Sequence, residues 1–400
     1  MPGALEGIRV VEMGFWVAGP GAAGIMADWG ADVVKIEPPE GDPMRGMFLN
    51  AAGLDVPVNP PFELDNRGKR SVGLNLQHAE GRAVARRLLA DADVFVTNLR
   101  QPALHKLALS FDELSHLNPR LIYCHISGYG LHGVDRDRPA YDVGAFWSRA
   151  GIASSLVPEG GEPPQQRGGM GDHATALAAV GAVCAALVAR QRTGTGQLVA
   201  TSLLRTGMYV LGWDLSIRLR FGHVAPPYTR FNVPNPMVSS YRAGDGKWFW
   251  LLGLQGDRLW PDLVRAIGRP DLLAAARFRD MRARRENAAQ LVELLDAIFT
   301  SKPRHDWTVI FDRENVWWAP VQTPDEVVND PQARAAGGIV QGPASDGEVE
   351  MVASPADFSD TPWAPSTPAP ELGQHTEAVL LELGYDWEAI GQLKEKGAIP

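Results

Sequence analysis

The start of the chain contains the pattern that most restricts its fold. Ile8–Met13 (IRVVEM) predicts a buried strand, a glycine-rich loop runs to Gly21, Ala22–Trp29 predicts a helix, and Asp32–Glu37 (DVVKIE) predicts a second strand. A strand, a helix and a strand within about 40 residues form the first unit of a parallel sheet that is covered by helices.

The same alternation continues along the N-terminal half. Further strands are predicted at Ser71–Leu76, Ala92–Asn98, Leu121–Gly128 and Gln197–Ser202, and helices at His78–Asp91, Phe111–Leu117 and Asp172–Arg192. The predicted fold class is α/β, with a doubly wound, mostly parallel, Rossmann-like sheet. A proline-rich stretch after Phe221 and the aromatic strand Lys247–Leu254 indicate a smaller α+β domain at residues 225–330.

Composition argues against several classes of function. The net charge of −9 disfavours a nucleic-acid partner, because phosphate contacts need clustered Lys and Arg. No apolar run reaches the roughly 18 residues of a membrane span, and the first residues lack signal-peptide features, so we expect a cytoplasmic protein without a membrane partner. Cys124 and Cys184 are far apart and the histidines show no paired spacing, so we expect no metal site.

Gly19–Gly24 (GPGAAG) is a literal GxGxxG motif between a predicted strand and a predicted helix. In a dinucleotide site the first glycine ends the strand, but here the stretch Gly14–Ala18 intervenes, and Glu37 comes too early for the ribose contact. Three interpretations stay open: a nicotinamide or flavin site of an NAD-dependent dehydrogenase, a tight turn with close helix packing, or a loop that touches another nucleotide-bearing cofactor.

A second glycine-rich segment, Gly168-Gly169-Met170-Gly171-Asp172, directly precedes the long predicted helix. Asp is a preferred N-cap residue, so one interpretation is a capped helix start. The other is a nucleophile, because the helix dipole would keep the carboxylate ionised and the glycines would let a bulky substrate and backbone N–H donors approach it. Asp172 is therefore the candidate catalytic residue.

The segment Asn66–Ser71 (NRGKRS) places three cations ahead of a predicted strand. Runs of charge are usually solvated turns. Because Arg and Lys also suit a clamp for a phosphorylated ligand, a ligand-binding role for this segment stays open.

Segments along most of the chain resemble the class III CoA-transferase family, which contains formyl-CoA transferase, carnitine CoA-transferase and the α-methylacyl-CoA racemases. They occur in family order over roughly positions 4–205 and 320–395. They are LEGIRVVEM, AGPGAAGIMADWGADVVKIEPPEGDPMR, NRGKRSVGLNL, DVFVTNLR, NPRLIYCHISGYG, RPAYD, the Gly-Asp opening of the long helix, RTGTGQ and LGQHTEAVLLELGY. Each is short, and their common order makes the resemblance specific.

The resemblance implies a large CoA-binding domain made of residues 1–224 and a returning C-terminal segment, 331–400, with 225–330 as the small domain. It also implies an interlocked homodimer. The implied activity is transfer of coenzyme A from an acyl-CoA donor to a carboxylic acid acceptor. Coenzyme A is then both substrate and product, and no metal or redox cofactor is needed.

Individual residues carry over from the family's motifs to this sequence. Asp172 stands where the transferases keep their nucleophilic aspartate. The positions that the resemblance assigns to coenzyme A are Val17, Ala18, Lys69, Arg70, Asn98, Leu99, Lys106, Tyr141 and Gly171. Leu99 stands for a usual Phe and Lys106 for a usual Arg, whereas Pro38 replaces a basic residue and puts one nucleotide contact in doubt.

Two departures bear on the reaction. Racemases of the family have a Gly-His-Asp triplet where this chain has Ala140-Tyr141-Asp142, and a two-base proton transfer needs that histidine. The glycine-rich flap of formyl-CoA transferase is also missing. A CoA-transferase is therefore the preferred function, with a 2-methylacyl-CoA racemase or a non-catalytic CoA-binding protein as alternatives. Five aromatic residues are expected either to line a bulky acyl pocket or to lie in the core: Phe15, Trp16, Phe48, Phe146 and Trp147.

Overall fold

A computed structural model describes residues 3–48, 53, 56, 58–158 and 160–400. The chain divides into two compact units. The larger unit comprises Met1–Ser154, Pro163–Val224 and Ala335–Pro400, and the smaller comprises Ser155–Glu162 and Ala225–Arg334. The C-terminal segment thus belongs with the N-terminal sheet, while the short excursion at Ser155–Glu162 has no counterpart in the predicted domain limits.

The described residues contain strands of three to six residues. In chain order they are β1 (Arg9–Met13), β2 (Asp32–Glu37), β3 (Arg70–Gly73), β4 (Val94–Thr97), β5 (Ile122–Ser127), β6 (Leu198–Ser202), β7 (Ser240–Arg242), β8 (Trp248–Leu251), β9 (Trp318–Pro320), β10 (Ile339–Ala344) and β11 (Gly347–Val352).

The α-helices alternate with these strands in the larger unit and dominate the smaller one. They are α1 (Ala18–Asp28), α2 (Pro60–Asn66), α3 (Ala79–Ala90), α4 (Gln101–Lys106), α5 (Phe111–Leu117), α6 (Ile152–Ser155), α7 (Met170–Thr193), α8 (Leu203–Val210), α9 (Gly212–Phe221), α10 (Gly256–Ala266), α11 (Met281–Glu286), α12 (Ala288–Phe299), α13 (Arg304–Arg313), α14 (Pro324–Val328), α15 (Pro331–Ala335), α16 (Thr376–Glu382) and α17 (Trp387–Glu395). Val143–Arg149 is a π-helix, and Pro43–Gly46 and Pro270–Leu273 are 3₁₀-helices.

The large sheet confirms the predicted α/β fold class. Its six strands are ordered β3-β2-β1-β4-β5-β6 and all pair in parallel. The chain moves outward from β1 to β3 and then crosses back to β4, so the strand order reverses between β1 and β4. In doubly wound sheets ligands bind at this switch point, outside the carboxyl ends of the strands.

Alternating side chains give this sheet two buried faces. Val11, Val34 and Phe95 face a core that includes residues of α3, α16 and α17. Val10 and Val33 face a second core that is covered by α1 and α7. By length and composition α7 is the one described helix that could cross a bilayer, and its inner side packs in this second core.

The GxGxxG motif lies within a helix and not in a loop. α1 begins at Ala18, earlier than the predicted Ala22, because Pro20 falls in the first turn, where its missing N–H costs nothing. A Cβ on Gly24 would lie 2.6 Å from the Asp65 backbone oxygen, and one on Gly21 would lie 3.5 Å from Ala176 of α7. Gly21 and Gly24 therefore allow close helix packing, as the second interpretation of the motif predicted, and the motif is not a loop.

The smaller unit has a core of its own. Strands β7, β8 and β9 form an antiparallel sheet, and Phe249 of β8 contacts Phe299 of α12 and Phe311 of α13 edge-on or at a tilt. This unit matches the expected smaller α+β part of the fold class.

Candidate active site

Asp172 lies in the first turn of α7, at the carboxyl edge of the large sheet. α7 ends just before β6 begins, so its C-terminus is at the amino edge of the sheet and its N-terminus is at the carboxyl edge. Gly169 precedes the helix with a φ of 78°, a conformation that favours glycine. Within the part of the chain that the structure describes, no side chain caps this helix start, and the N-cap residue is Gly169. Asp172 is therefore not the N-cap, and the capping interpretation of the glycine-rich segment is wrong.

The carboxyl group of Asp172 is difficult to ionise. Burial is the main cause, and the negative charge of Asp142 adds to it, so that the pKa rises from 3.8 to about 7, with His173 opposing the shift. The sequence predicts a carboxylate kept ionised by the helix dipole, whereas burial raises its pKa. A carboxylate of raised pKa is the more basic, and hence the stronger nucleophile, once its proton has left.

Asp142 ties the π-helix to the start of α7. Its Oδ1 accepts a hydrogen bond from the Val143 N–H at 2.8 Å, and its Oδ2 accepts from Gln166 Nε2 at 2.9 Å and from the Gly171 N–H at 3.3 Å. Because these donors occupy it, Asp142 acts on Asp172 through its charge and fixes the backbone around it.

A histidine–aspartate pair lies on the other side of Asp172. His173 Nε2 lies 3.0 Å from Asp65 Oδ1 of α2. Asp65 is only 3% exposed, and its Oδ2 is buried without a hydrogen-bond partner among the described residues. Asp65 was not among the predicted site residues. The only signal in the sequence is an acidic residue inside the short helix before Asn66.

The loop Gly14–Val17 is held rigidly over the carboxyl ends of β1 and β4. Asn98 binds both backbone groups of Phe15, accepting from its N–H at 2.9 Å and donating to its carbonyl at 2.7 Å. Trp16 donates its N–H to Asp42 at 3.1 Å and has a φ of 67°. A bulky residue rarely adopts that conformation, which costs roughly 1–3 kcal/mol and is typical of functional sites.

Four charged side chains form a cluster beneath this loop, which we name the buried ion cluster: Glu12, Lys35, Asp42 and Lys69. All are at most 1% exposed. Lys35 Nζ donates to Glu12 at 3.1 Å, to Asp42 at 3.0 Å and to the Gly14 carbonyl at 3.1 Å. Burial opposes the charge on Lys35, but Glu12 and Asp42 outweigh it and raise its pKa. The cluster thus fixes the loop backbone from below.

A cavity of about 440 Å³ opens at the switch point of the sheet. Its walls come from the ends of β1 and β2, from Asn75 after β3 and from α4, and they include Phe15, Leu99 and Lys106. Of the residues predicted to contact coenzyme A, the structure brings Leu99 and Lys106 to this cavity, and Asn98 shapes it through Phe15. Pro38, where the family often has a cation, also lines it.

The loop Gly14–Val17 also connects the cavity with the glycine-rich segment. Phe15 lines the cavity, the Trp16 ring packs edge-to-face on Tyr141 at 5.8 Å, and a Cβ on Gly169 would lie 3.8 Å from Val17 Cγ1. Tyr141 is 62% exposed. The structure thus brings Val17 and Tyr141 to the Asp172 side of the loop.

Two predicted coenzyme contacts lie elsewhere. Lys69 Nζ donates to Glu12 at 3.1 Å, to the Pro20 carbonyl at 2.8 Å and to Asn66 at 3.0 Å. An ammonium group has three donors, so none is left for a phosphate, and that prediction for Lys69 is wrong. Arg70 begins β3 at the amino edge of the sheet and pairs with Asp32 and Glu382, so the structure does not bring it to the cavity.

Two further predicted contacts are mainly packing residues. A Cβ on Gly171 would lie 2.6 Å from the Phe146 ring, so this glycine allows Phe146 to pack on the start of α7. Ala18 is buried in the first turn of α1. Phe146 and Trp147 are core residues, 5% and 9% exposed, and not walls of an open acyl pocket.

The structure combines a parallel doubly wound sheet, a cavity at its switch point and a buried carboxyl group at the start of the adjoining helix. This arrangement is typical of α/β proteins whose ligand site lies at the carboxyl edge of the sheet. The sequence matches CoA-transferase family III over residues 5–376. The chain belongs to the class III CoA-transferase family and is a CoA-transferase.

Individual relatives agree with this assignment. The chain is 33% identical to (R)-2-hydroxy-4-methylpentanoate CoA-transferase of Clostridioides difficile over 99% of both chains. It is 30% identical to cinnamoyl-CoA:phenyllactate CoA-transferase of Clostridium sporogenes over 98% of this chain and 96% of the relative. The crystal structure of a CAIB/BAIF family protein from Brucella suis superposes with a TM-score of 0.85 at 31% identity, covering 96% of this chain and all of the other.

Proposed function

We propose that this enzyme transfers coenzyme A between carboxylic acids through a covalent intermediate on Asp172. The observation that carries the proposal is the Asp172 carboxyl group, which lies in the first turn of α7 behind a glycine-rich segment and has a pKa raised to about 7. Such a group suits covalent catalysis, because it is a stronger nucleophile than an ordinary aspartate once it is ionised.

The chemistry consists of two exchanges that mirror each other. An Asp172 oxygen attacks the thioester carbonyl of the donor, the C–S bond breaks, and the electron pair leaves on the sulfur, which gives a mixed anhydride and the CoA thiolate. The thiolate then attacks the Asp172 carbonyl carbon and releases the first acid as its carboxylate. The incoming carboxylate reverses both steps and restores Asp172, so no net proton is consumed.

We infer that the donors for the tetrahedral oxyanions of these steps are N–H groups of the first turn of α7 other than those of Gly171 and His173, which bind Asp142 and the Gly169 carbonyl. The first N–H groups of a helix have no partners within it, and a glycine-rich approach lets a substrate carbonyl come close to them. Preorganised backbone donors of this kind contribute several kcal/mol to related reactions. We place the coenzyme in the cavity at the switch point, with its thiol passing under Trp16 toward Asp172.

We also propose a homodimer as the active form. Helices α8 and α9 carry a large exposed apolar surface, and no residue of α9 is buried within this chain. Tyr209, Trp213 and Leu219 are each more than 80% exposed. Because soluble monomers rarely expose patches of this size, we expect a second copy to cover the surface. Trp213→Asp should shift the sedimentation coefficient toward that of a monomer, and a monomeric parent protein would refute the proposal.

The acid substrates are proposed from the relatives. Both relatives act on acids with a branched or aromatic carbon skeleton, as their names state. Trp16 and Tyr141 pack edge-to-face, and we infer that this aromatic pair faces the acyl group and favours apolar acyl groups of that kind. If Trp16→Ala lost the preference of the parent enzyme between cinnamoyl-CoA and acetyl-CoA, measured as the ratio of kcat/KM, the role of Trp16 in acyl selection would be supported. An unchanged ratio would refute it.

A donor and acceptor panel tests the function itself. Acetyl-, succinyl-, 4-methylpentanoyl- and cinnamoyl-CoA are each incubated with an isotope-labelled free acid, and the labelled acyl-CoA is followed by mass spectrometry. We expect transfer with at least one donor and its loss by several orders of magnitude in Asp172→Asn. Calorimetry should show binding of coenzyme A and not of NAD, and the reverse result would favour a dehydrogenase. Binding without transfer would favour a non-catalytic CoA-binding protein.

A further inference from the structure

The buried Asp65 carboxylate binds His173, and neither helix packing nor the role of Asp172 explains this pairing. Asp65 lies on α2, almost fully buried, and among the described residues its side chain hydrogen-bonds only to His173 Nε2, at 3.0 Å. Its second oxygen has no partner among the described residues. A buried carboxylate with one donor is costly unless that donor carries a positive charge.

The charges around the pair favour a protonated imidazole. Asp65 is the first cause that raises the pKa of His173, burial opposes it, and Asp172 and Asp142 add to the rise. Burial raises the pKa of Asp65, while His173, Lys69 and Lys35 favour its ionised form. No charged side chain of α1 enters this balance, because the helix presents Gly21 to the ring.

The other edge of the ring faces the glycine-rich segment. With Nε2 bound to Asp65, the remaining ring nitrogen is Nδ1. A Cβ on Gly169 would lie 3.4 Å from Nδ1 and 3.8 Å from Val17 Cγ1, and His173 is 45% exposed on its side chain. Because Gly169 has no Cβ, it places no side chain between Nδ1 and Val17. This is the space through which the proposed function passes the thiol of coenzyme A.

We propose that His173 is a second catalytic residue, which donates a charged Nδ1–H hydrogen bond to the sulfur of coenzyme A, and that Asp65 is its positioning residue. This inference rests on the proposed function. When the thioester C–S bond breaks, the electron pair stays on the sulfur and the proton stays on His173. The thiolate therefore keeps its nucleophilicity for the return attack, while the imidazolium lowers the free energy of its charge.

Ionisation of bound coenzyme A tests this role without knowledge of the acid substrates. The ultraviolet absorbance of the thiolate is followed against pH for coenzyme A bound to the parent enzyme, to His173→Gln, to Asp65→Asn and to the surface control His116→Gln. A nearby cation lowers a thiol pKa by one unit or more, so the ionisation constant should fall at least tenfold in His173→Gln. Asp65→Asn should show part of that loss, and His116→Gln none.

The outcomes separate the two proposals. If coenzyme A does not bind the parent enzyme, the proposed function fails and this inference fails with it. If coenzyme A binds and ionises alike in the parent and in His173→Gln, the role of His173 is refuted while the proposed function stands. Thermal melting of each variant shows whether it is folded, and His173→Gln keeps the test valid if Asp65→Asn does not fold. Rapid deuterium uptake at the α-carbon of a 2-methylacyl-CoA, lost in His173→Gln, would instead make His173 a base of racemase chemistry.

Discussion

The two ends of the large sheet use the same types of charged residue for different purposes. At the carboxyl end the buried ion cluster binds the backbone of the loop Gly14–Val17, and the cluster is closed to solvent. At the amino end Arg70 pairs with Asp32 and Glu382, which are 47% and 59% exposed. Lys69 and Arg70 are neighbours in the sequence, yet each belongs to a different one of these groups.

The difference shows at which end of the sheet the fold contains energetically costly charges. Ion pairs at the solvent-exposed end contribute little, because water screens them. Buried charges are costly to desolvate, and they contribute specificity of position only while every partner is present. At the carboxyl end such charges hold the backbone of the loop that contains the strained Trp16.

The largest expected change in stability is in Lys35→Met. Among the described residues, it removes the one cation paired with Asp42 and one of the two paired with Glu12, so buried negative charge is left uncompensated. Removing one partner of a buried pair costs about 3–5 kcal/mol. Urea unfolding of Lys35→Met should show a loss of that size. A loss under about 1 kcal/mol would mean that the cluster is no more important than a surface pair.

Asp172→Asn should change the free energy of unfolding in the opposite direction and stabilise the protein. Because the folded state keeps the proton on Asp172 up to a pKa of about 7, while the unfolded chain loses it near pH 4, the free energy of unfolding falls as pH rises across that window. Asp172→Asn has no ionisable group at this position, so its free energy of unfolding does not fall for this reason. It should be about 2–4 kcal/mol more stable than the parent at pH 8 and equal to it near pH 4. If the parent and Asp172→Asn were equally stable at both pH values, the claim that folding destabilises the ionised Asp172 carboxylate would be contradicted.

The smallest effect is expected at the amino end. Arg70→Met breaks exposed pairs and should cost under about 1 kcal/mol. It should also leave the affinity for coenzyme A unchanged in calorimetry, because Arg70 lies away from the cavity. The matched variant at the cavity is Lys106→Met, for which we expect weaker binding. A clear loss of affinity in Arg70→Met would instead support the contact between Arg70 and coenzyme A that the resemblance predicts.

Local patterns predicted the elements of the fold well. Phe111–Leu117 has the predicted bounds, and β1, β4 and β5 lie within one or two residues of theirs, because buried strands and amphipathic helices have distinct apolar periods. The start of α1 was missed, since Gly19-Pro20-Gly21 is usual in turns while Pro is also tolerated in a first helical turn. The π-helix Val143–Arg149 has no comparable signal.

The candidate site was predictable only where one segment carries it. The glycine-rich segment marked Asp172, and the resemblance marked Asn98, Leu99 and Lys106. Asp65 and His173 lie far apart in the sequence, so their pairing depends on the packing of α1, α2 and α7. The direction of Lys69 could not be predicted for the same reason, because the carboxylate that binds it, Glu12, is on another strand.

Chemical trapping of the proposed intermediate tests the central claim most directly. The parent enzyme and Asp172→Asn are incubated with an acyl-CoA donor that is active in the panel, without acceptor acid, and then with hydroxylamine, which cleaves anhydrides and thioesters to hydroxamates. Peptide mass spectrometry should find a hydroxamate at Asp172 of the parent and none in Asp172→Asn, which should still bind coenzyme A. Substantial transfer by Asp172→Asn, together with an unlabelled Asp172 in the parent, would contradict covalent catalysis by this residue.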